Sequence, residues 1–360
     1  MKTAVRRLTA AILILLLLLS GCAGTPVSPL PSNGQDSTPI SSPGQEETPS
    51  GGQENSTSDG QENSASDGQE NSTSDGQEKP SSDGNEKPPE KPFPQPNIQA
   101  RHALVYDLTE KRILFCKDTE DERVYPASVT KLYTILTALH YLDPDEIITA
   151  GNELNLVRSG SSRAYIRKGQ KLTVSMLIEG MLLPSGNDAA YVLSVAAGRR
   201  IAGSPVLPPK EAVSRFVWEM NRQAEEDGLV QTHFVTPDGW HDDDHYTSLR
   251  DLISIAEQAL AEPEITKYTS LASAKVTYAS GETNRWKNTN ELLKESSPFY
   301  RKGILGLKTG HTNEAGFCLL TAATAGDSTV LIAVFGAETS DVRFEDSVKL
   351  LDVYRKWKKE

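Results

Sequence analysis

Apolar and polar residues are sorted along this chain into stretches with different periods. Residues 8–19 are a mostly apolar run behind Lys2, Arg6 and Arg7. That is the charge order and length of a secretory signal, and it is short for a membrane span. From 23 to about 97 the residues are Ser, Thr, Pro, Gly, Gln, Asn and Glu with hardly an aromatic, so this stretch buries too little apolar area to offset the entropy of ordering. Beyond it, 102–107 and 112–116 alternate apolar and polar positions around a turn at 108–111, which predicts a hairpin. Residues 317–323 and 329–335 are apolar, β-branched runs separated by Ala325-Gly326-Asp327-Ser328, a second hairpin. Between these pairs the period lengthens. Leu132, Ile135, Leu136 and Leu139 recur at helical spacing behind Pro126, 172–183 is a nearly unbroken apolar helix, and 188–197 is rich in alanine. Phe344, Val348, Leu351 and Tyr354 predict a closing helix over 343–357. Strands at both ends with helices between them give an α+β fold.

Composition divides the chain at the same places. Residues 1–21 read as a signal peptide ending in Leu19-Ser20-Gly21-Cys22, which looks like a bacterial lipobox with Cys22 as the lipid-modified residue. A lipid anchor of this kind holds a protein on a membrane without crossing it, so the expected location is exported, extracytoplasmic and membrane-attached as a lipoprotein. Residues 22–97 read as a disordered acidic tether whose middle repeats an eight-residue unit, Asp59-Gly60-Gln61-Glu62-Asn63-Ser64-Ala65-Ser66 being one copy. So short a polar period has no hydrophobic face to stack, which excludes a solenoid. Residues 22–100 hold three lysines and thirteen acids, a net of −10 within a total of −12, and the leader contributes +3. The remainder therefore carries about −5. The tether should act as a flexible spacer with a reach of roughly 50 Å. No basic patch or aromatic-basic interleaving is present, so nucleic acid is not an expected partner. Residues 98–360 are long enough for one sizeable domain or two intertwined subdomains.

Three short strings in this domain carry chemistry. Ser128-Val129-Thr130-Lys131 sets an amine one helical turn from a hydroxyl, Ser185-Gly186-Asn187 offers a second hydroxyl with an amide, and Lys308-Thr309-Gly310 puts a cation on a strand beside a glycine. These are the parts of an acyl-transfer site built without histidine. Ser128, in the first turn behind Pro126, lies where unpaired backbone N–H groups and the positive helix end favour a developing negative charge. Lys131 projects on the same face. At its ordinary pKa of about 10.4 a lysine is almost wholly charged at neutral pH. Lys131 must therefore be shifted, and partial burial and repulsion from Lys308 would both lower it. Ser185 and Asn187 fall in a turn between two buried helices, and Gly310 permits a close backbone approach on an edge strand.

The blocks around these strings, residues 125–134, 183–190 and 306–312, resemble the serine D-alanyl-D-alanine carboxypeptidases, the low-molecular-mass penicillin-binding proteins. Fragments at 216–221, 234–239, 246–251, 288–293 and 315–316 fit the same family, so the likeness covers 102–357. It implies the serine β-lactamase/transpeptidase-like architecture, an antiparallel sheet flanked by helices plus an all-helical subdomain over about 142–266. It implies removal of the C-terminal D-alanine from peptidoglycan stem pentapeptides through an acyl-enzyme on Ser128, with β-lactam antibiotics as covalent inhibitors and no cofactor or metal. By the same resemblance Lys131 accepts the serine proton, Ser185 relays a proton to the leaving nitrogen, and Asn187 orients Lys131 and the substrate amide. Lys308 and Thr309 bind the terminal carboxylate, and the N–H groups of Ser128 and His311 form the oxyanion hole.

Other readings of the same residues lead elsewhere. A class A-like β-lactamase needs a glutamate four residues before an asparagine, and no Glu between Asn187 and Lys308 has one. A catalytically idle penicillin-binding wall lipoprotein would keep the pocket and lose turnover. His233, His241 and His245 with Asp242, Asp243 and Asp244 raise a zinc hypothesis, to which a polar loop is the preferred answer. Cys116 and Cys318 are expected to stay unpaired, because the family sheet would set their strands two apart, about 9 to 10 Å. The chain departs from the family pattern in a proline-rich insertion at 205–209 and in lacking, within the sequence, the β-rich C-terminal domain common there. The tether is expected to take over that domain's role as a spacer.

Overall fold

The computed structural model describes residues 91–360. The signal segment, Cys22 and the octapeptide repeats lie outside the described residues. Residues 91–97, expected to belong to the tether, instead pack on the domain. Phe93 is buried with its ring 5.5 Å from that of Trp357 in an edge-on contact, and Trp357 donates to the Pro92 carbonyl at 3.2 Å. The aromatic at Phe93 supplies the apolar area that the preceding repeats lack, so the folded unit begins before 98.

Five antiparallel strands make the main sheet: β1 (His102–Asp107), β2 (Arg112–Lys117), β3 (Ile304–Thr312), β4 (Gly316–Ala325) and β5 (Ser328–Ala337), in spatial order β2-β1-β5-β4-β3. Both expected hairpins are present, β1–β2 and β4–β5, and β1 pairs with β5 to join the two ends of the chain. The strands are apolar on both faces because both faces are covered. Ala103, Val105, Leu319, Val330, Ile332 and Val334 meet Phe344, Leu351 and Tyr354 of the closing helix α7 (Ser340–Lys359). On the other face Leu104, Leu320, Leu331 and Ala333 join the large core of the helical layer.

That layer contains α1 (Lys131–Leu139), α2 (Val174–Leu182), α3 (Asn187–Ile201), α4 (Pro209–Glu226), α5 (Leu249–Ala261) and α6 (Pro263–Thr269). The centre is α1, whose Leu132, Tyr133, Ile135 and Ala138 are all buried. The proline-rich insertion has a local role: Pro208 precedes α4 and Pro209 opens it, where a fixed φ and a missing N–H cost nothing.

Cys116 on β2 and Cys318 on β4 are free thiols. Their strands are three spacings apart, with β1 and β5 between them, rather than the two expected. At about 4.8 Å per spacing this puts them about 14 Å apart, beyond disulfide reach by a wider margin.

Candidate active site

Pro126 is followed by a 3-10 turn, Ala127–Thr130, and α1 begins only at Lys131. The sequence places Ser128 in a first α-turn; the tighter turn is the finding, and it has a consequence. Residues i and i+3 eclipse in a 3-10 helix, so Ser128 and Lys131 line up, with Lys131 Nζ 2.7 Å from Ser128 Oγ. The same Nζ is 2.8 Å from Asn187 Oδ1 and 2.7 Å from the carbonyl of Asp238. Burial pushes the amine down to about 8, against the opposing charges of Asp238 and Asp188. About a tenth of Lys131 is then neutral at pH 7, against well under a thousandth for an unperturbed lysine. Of the two causes considered from sequence, burial is the dominant one. Repulsion is felt at Lys308, which is held well below its ordinary value first by burial and then by Lys131 and Arg343.

Ser185, in the turn between α2 and α3, has a left-handed conformation, φ 61°, which is strained for a serine. This backbone aims its hydroxyl at Lys308, whose Nζ donates to Ser185 Oγ at 2.9 Å and to the Thr309 carbonyl at 3.0 Å. Asn187 opens α3 and donates from Nδ2 to Asp238 Oδ2 at 2.6 Å. Lys308, Thr309, Gly310 and His311 lie on β3, the sheet edge, and Thr309 Oγ1 is 2.6 Å from Thr289 Oγ1. At Gly310 a Cβ would stand 3.0 Å from the Pro126 carbonyl and 3.1 Å from the Ser128 nitrogen. The glycine thus lets the strand close on the nucleophile's own turn. His311 is at the rim, stacked on Phe317 with centroids 4.0 Å apart. The three strings therefore converge on one cleft of about 450 Å³, lined by Ser128, Ser185, Asn187, Thr309, Gly310 and His311 among others.

Sequence reasoning does not single out Asp238 or Arg343, and it marks His245 only for the zinc hypothesis. Asp238 touches Lys131 through its carbonyl and Asn187 through its carboxylate; a main-chain contact leaves no trace in side-chain type. Arg343, from the first turns of α7, donates to the Gly310 carbonyl at 3.2 Å and lines the cleft, with Phe317 and Phe344 against its guanidinium. Burial lowers it to about 10, so it stays charged at neutral pH. His245 is buried; its Nδ1 accepts from the N–H of Val235 at 2.9 Å, so its Nε2 donates to Thr130 Oγ1 at 2.8 Å. Burial holds its pKa down to about 3, and the neutral ring ties the Asp238 loop to the nucleophile's turn.

The histidine cluster proposed from sequence does not converge. His245 points inward, His233 Nδ1 contacts the Asp244 carbonyl, and His241 packs edge-on against Tyr125. Three separate sets of partners answer the zinc hypothesis for these residues.

The loop that carries Asp238 turns at Gly239, φ 79°, where a Cβ would stand 1.8 Å from the Ala127 carbonyl oxygen. Substituting Gly239→Ala is expected to cost about 3 kcal/mol or more, from backbone strain and overpacking together. Urea unfolding measures this, and an unchanged midpoint would contradict the contact.

Residues 89–339 match the family model for D-alanyl-D-alanine carboxypeptidase. The D-alanyl-D-alanine carboxypeptidase DacF of Bacillus subtilis is 32% identical over 260 residues, covering 71% of this chain and 61% of the relative. That of Streptomyces sp. K15 is 33% identical over 241 residues, 64% of this chain and 79% of the relative. The crystal structure of the Streptomyces K15 DD-transpeptidase superposes with a TM-score of 0.65 at 29% identity, covering 72% of this chain and 98% of that one. Penicillin-binding protein D2 from Listeria monocytogenes, in the ampicillin-bound form, gives 0.58 at 29% identity over 72% and 99%. The chain spans about six-tenths of the length of several of the curated relatives it matches.

Proposed function

Because the chain belongs to the D-alanyl-D-alanine carboxypeptidase family, we propose that it removes the terminal D-alanine from peptidoglycan stem peptides through an acyl-enzyme on Ser128. The observation that carries this is the buried Lys131 amine 2.7 Å from the Ser128 hydroxyl, with its basicity lowered towards neutrality. As its neutral form, Lys131 takes the serine proton while Oγ attacks the carbonyl between the two D-alanines. The tetrahedral oxyanion is held by the N–H groups of Ser128 and His311, the second brought alongside by the close approach of Gly310. Each such donor is worth about 3 kcal/mol. Ser185 passes a proton to the departing nitrogen and is resupplied through Lys308, whose Nζ is 2.9 Å away. The proton that Lys131 took leaves to solvent as Lys308 regains one, and the neutral Lys131 amine then takes a proton from the attacking water and returns it to Ser128 Oγ as the ester bond breaks and the shortened peptide departs.

The substrate carboxylate is bound at the β3 edge by Thr309, Lys308 and Arg343. Arg343 supplies the standing positive charge. Burial and two neighbouring cations suppress the charge on Lys308, and an incoming carboxylate offsets both neighbours, so substrate binding is expected to draw a proton onto Lys308. β-Lactams, with an amide and a carboxylate at similar spacing, acylate the same serine.

The test is to incubate the purified protein with a D-alanine-terminated pentapeptide and assay free D-alanine. Release at turnover rates supports the reading. Covalent penicillin labelling without release favours the idle wall binder, and rapid sustained hydrolysis of a chromogenic cephalosporin favours the β-lactamase.

Attachment through a lipid on Cys22, with the acidic repeats as a spacer, completes the proposal. It is supported by the basic-then-apolar leader and the Leu19-Ser20-Gly21-Cys22 string. Changing Cys22→Ser is expected to move the protein from the membrane fraction to the soluble exported fraction; unchanged fractionation would overturn the anchor.

A further inference from the structure

We propose that His102, Asp118 and Glu122 form a site for a divalent transition-metal ion, Zn²⁺ being the best match. The site is at the far edge of the sheet from the cleft. His102 opens β1, and the register that sets Ala103 opposite Lys117 brings Asp118, just past β2, beside it. Asp118 has φ 69°, a left-handed turn that folds the chain back towards β1. His102 Nδ1 is 3.8 Å from Asp118 Oδ2 and 3.9 Å from Glu122 Oε2. One donor atom from each residue lies within 4.8 Å of the other two.

Two further observations separate this cluster from an ordinary patch of acids. The His102 Nδ1 atom is buried and has no hydrogen-bond partner among the described residues. A buried ring nitrogen without a partner is costly, and here it faces two carboxylates that are too distant to bond it. The second observation is how the local charges are used. Four acids occur in residues 118–122, and Arg250 binds two of them, donating to Glu120 at 2.8 Å and to Asp121 at 2.5 Å. Lys117 is bonded to the carbonyls of Ile98 and Ala100, and Arg101 to those of Gly336 and Glu314. Asp118 and Glu122 therefore have no cation at bonding distance among the described residues other than what His102 can offer.

One imidazole nitrogen and two carboxylate oxygens suit Zn²⁺ with water in the remaining position; Ca²⁺ prefers an all-oxygen set. Ligands on a tetrahedral zinc are about 3.4 Å apart, so each half-exposed carboxylate needs to approach His102 Nδ1 by about half an ångström, and the two carboxylates, within 4.8 Å of each other, close by no more than about 1.4 Å. A bound ion would join β1, the end of β2 and the segment that reaches Ser128 six residues after Glu122.

The experiment uses the full-length protein, stripped with a chelator and titrated with ZnCl₂ by calorimetry. One Zn²⁺ per chain is expected, with micromolar or tighter affinity and a melting temperature raised by about 5 °C at a hundredfold excess over Kd. The double variant Asp118→Asn, Glu122→Gln keeps the shape of both side chains. It should lose at least tenfold in affinity together with the melting shift, while keeping penicillin labelling. Co²⁺ should give a ligand-field spectrum in the wild type that changes in His102→Gln. Failure to bind Zn²⁺, affinity unchanged in the double variant, or a Ca²⁺ response matching that of Zn²⁺ would each overturn the site.

Discussion

Replacing Ser128→Ala is expected to abolish D-alanine release and to remove covalent labelling by a fluorescent penicillin altogether. The hydroxyl is the only nucleophile proposed in the cleft, and Lys131 already directs its amine at it from 2.7 Å. Losses on removing a nucleophile of this kind run to about four orders of magnitude or more. The methyl group that remains is small and the turn is held by Gly310 and His245 contacts that do not involve Oγ, so the fold should survive. Denaturant unfolding close to wild type alongside lost labelling separates chemistry from misfolding. Labelling that persists at another residue would dismiss the assignment of Ser128.

Replacing Lys131→Met should bring a comparable loss, for a different reason. The serine stays, but nothing nearby removes its proton. Because the two groups act as a unit, the double variant with Ser128→Ala should be hardly worse than either single one. The pH dependence gives an independent check. Protonated Lys131 is the inactive form, and its pKa is about 8. The second-order rate of acylation should therefore rise about tenfold per pH unit below that value and level off above it. His245 is held down to about 3 by burial and stays neutral throughout this range. A rate that does not change between pH 5 and 8 would remove Lys131 from the role of base. The variant also leaves the Asn187 amide oxygen and the Asp238 carbonyl without their shared donor, so some loss of stability, about 1 to 3 kcal/mol, should accompany the loss of rate.

How much of this could be read in advance follows from the range of each signal. The two hairpins and the closing helix depend on periods of two and of 3.6 within single segments, and the structure has them where the periods place them. Ser128 and Lys131 are three residues apart, so any helical turn brings them together. What the sequence does not state is which turn. The 3-10 geometry of Ala127–Thr130 aligns the two groups, and it depends on the fit of Pro126 and Ala127 against Gly310 and Gly239, residues far along the chain.

Asp238 and Arg343 show the same limit from two sides. The carbonyl of Asp238 is chemically the carbonyl of any residue, and only the loop's path past Lys131 gives it a role. Arg343 is one arginine in a helix whose period marks its apolar face, and its approach to the Gly310 carbonyl exists only once α7 lies across the sheet. The expectation for the cysteine strands falls one spacing short because strand order is a matter of which edges pair. Phe93 reads as tether because a single aromatic among prolines carries no period, and Trp357, its partner, is 264 residues away.

By itself, then, the order of residues determined the hairpins and helices and set out which side chains could serve as acyl-transfer reagents, because each is encoded within a few neighbouring positions. The tertiary structure decided the state of Lys131. Burial is what lowers this amine towards neutrality, and here the exclusion of water comes from three segments, the Ser128 turn, the start of α3 and the Asp238 loop, meeting in space.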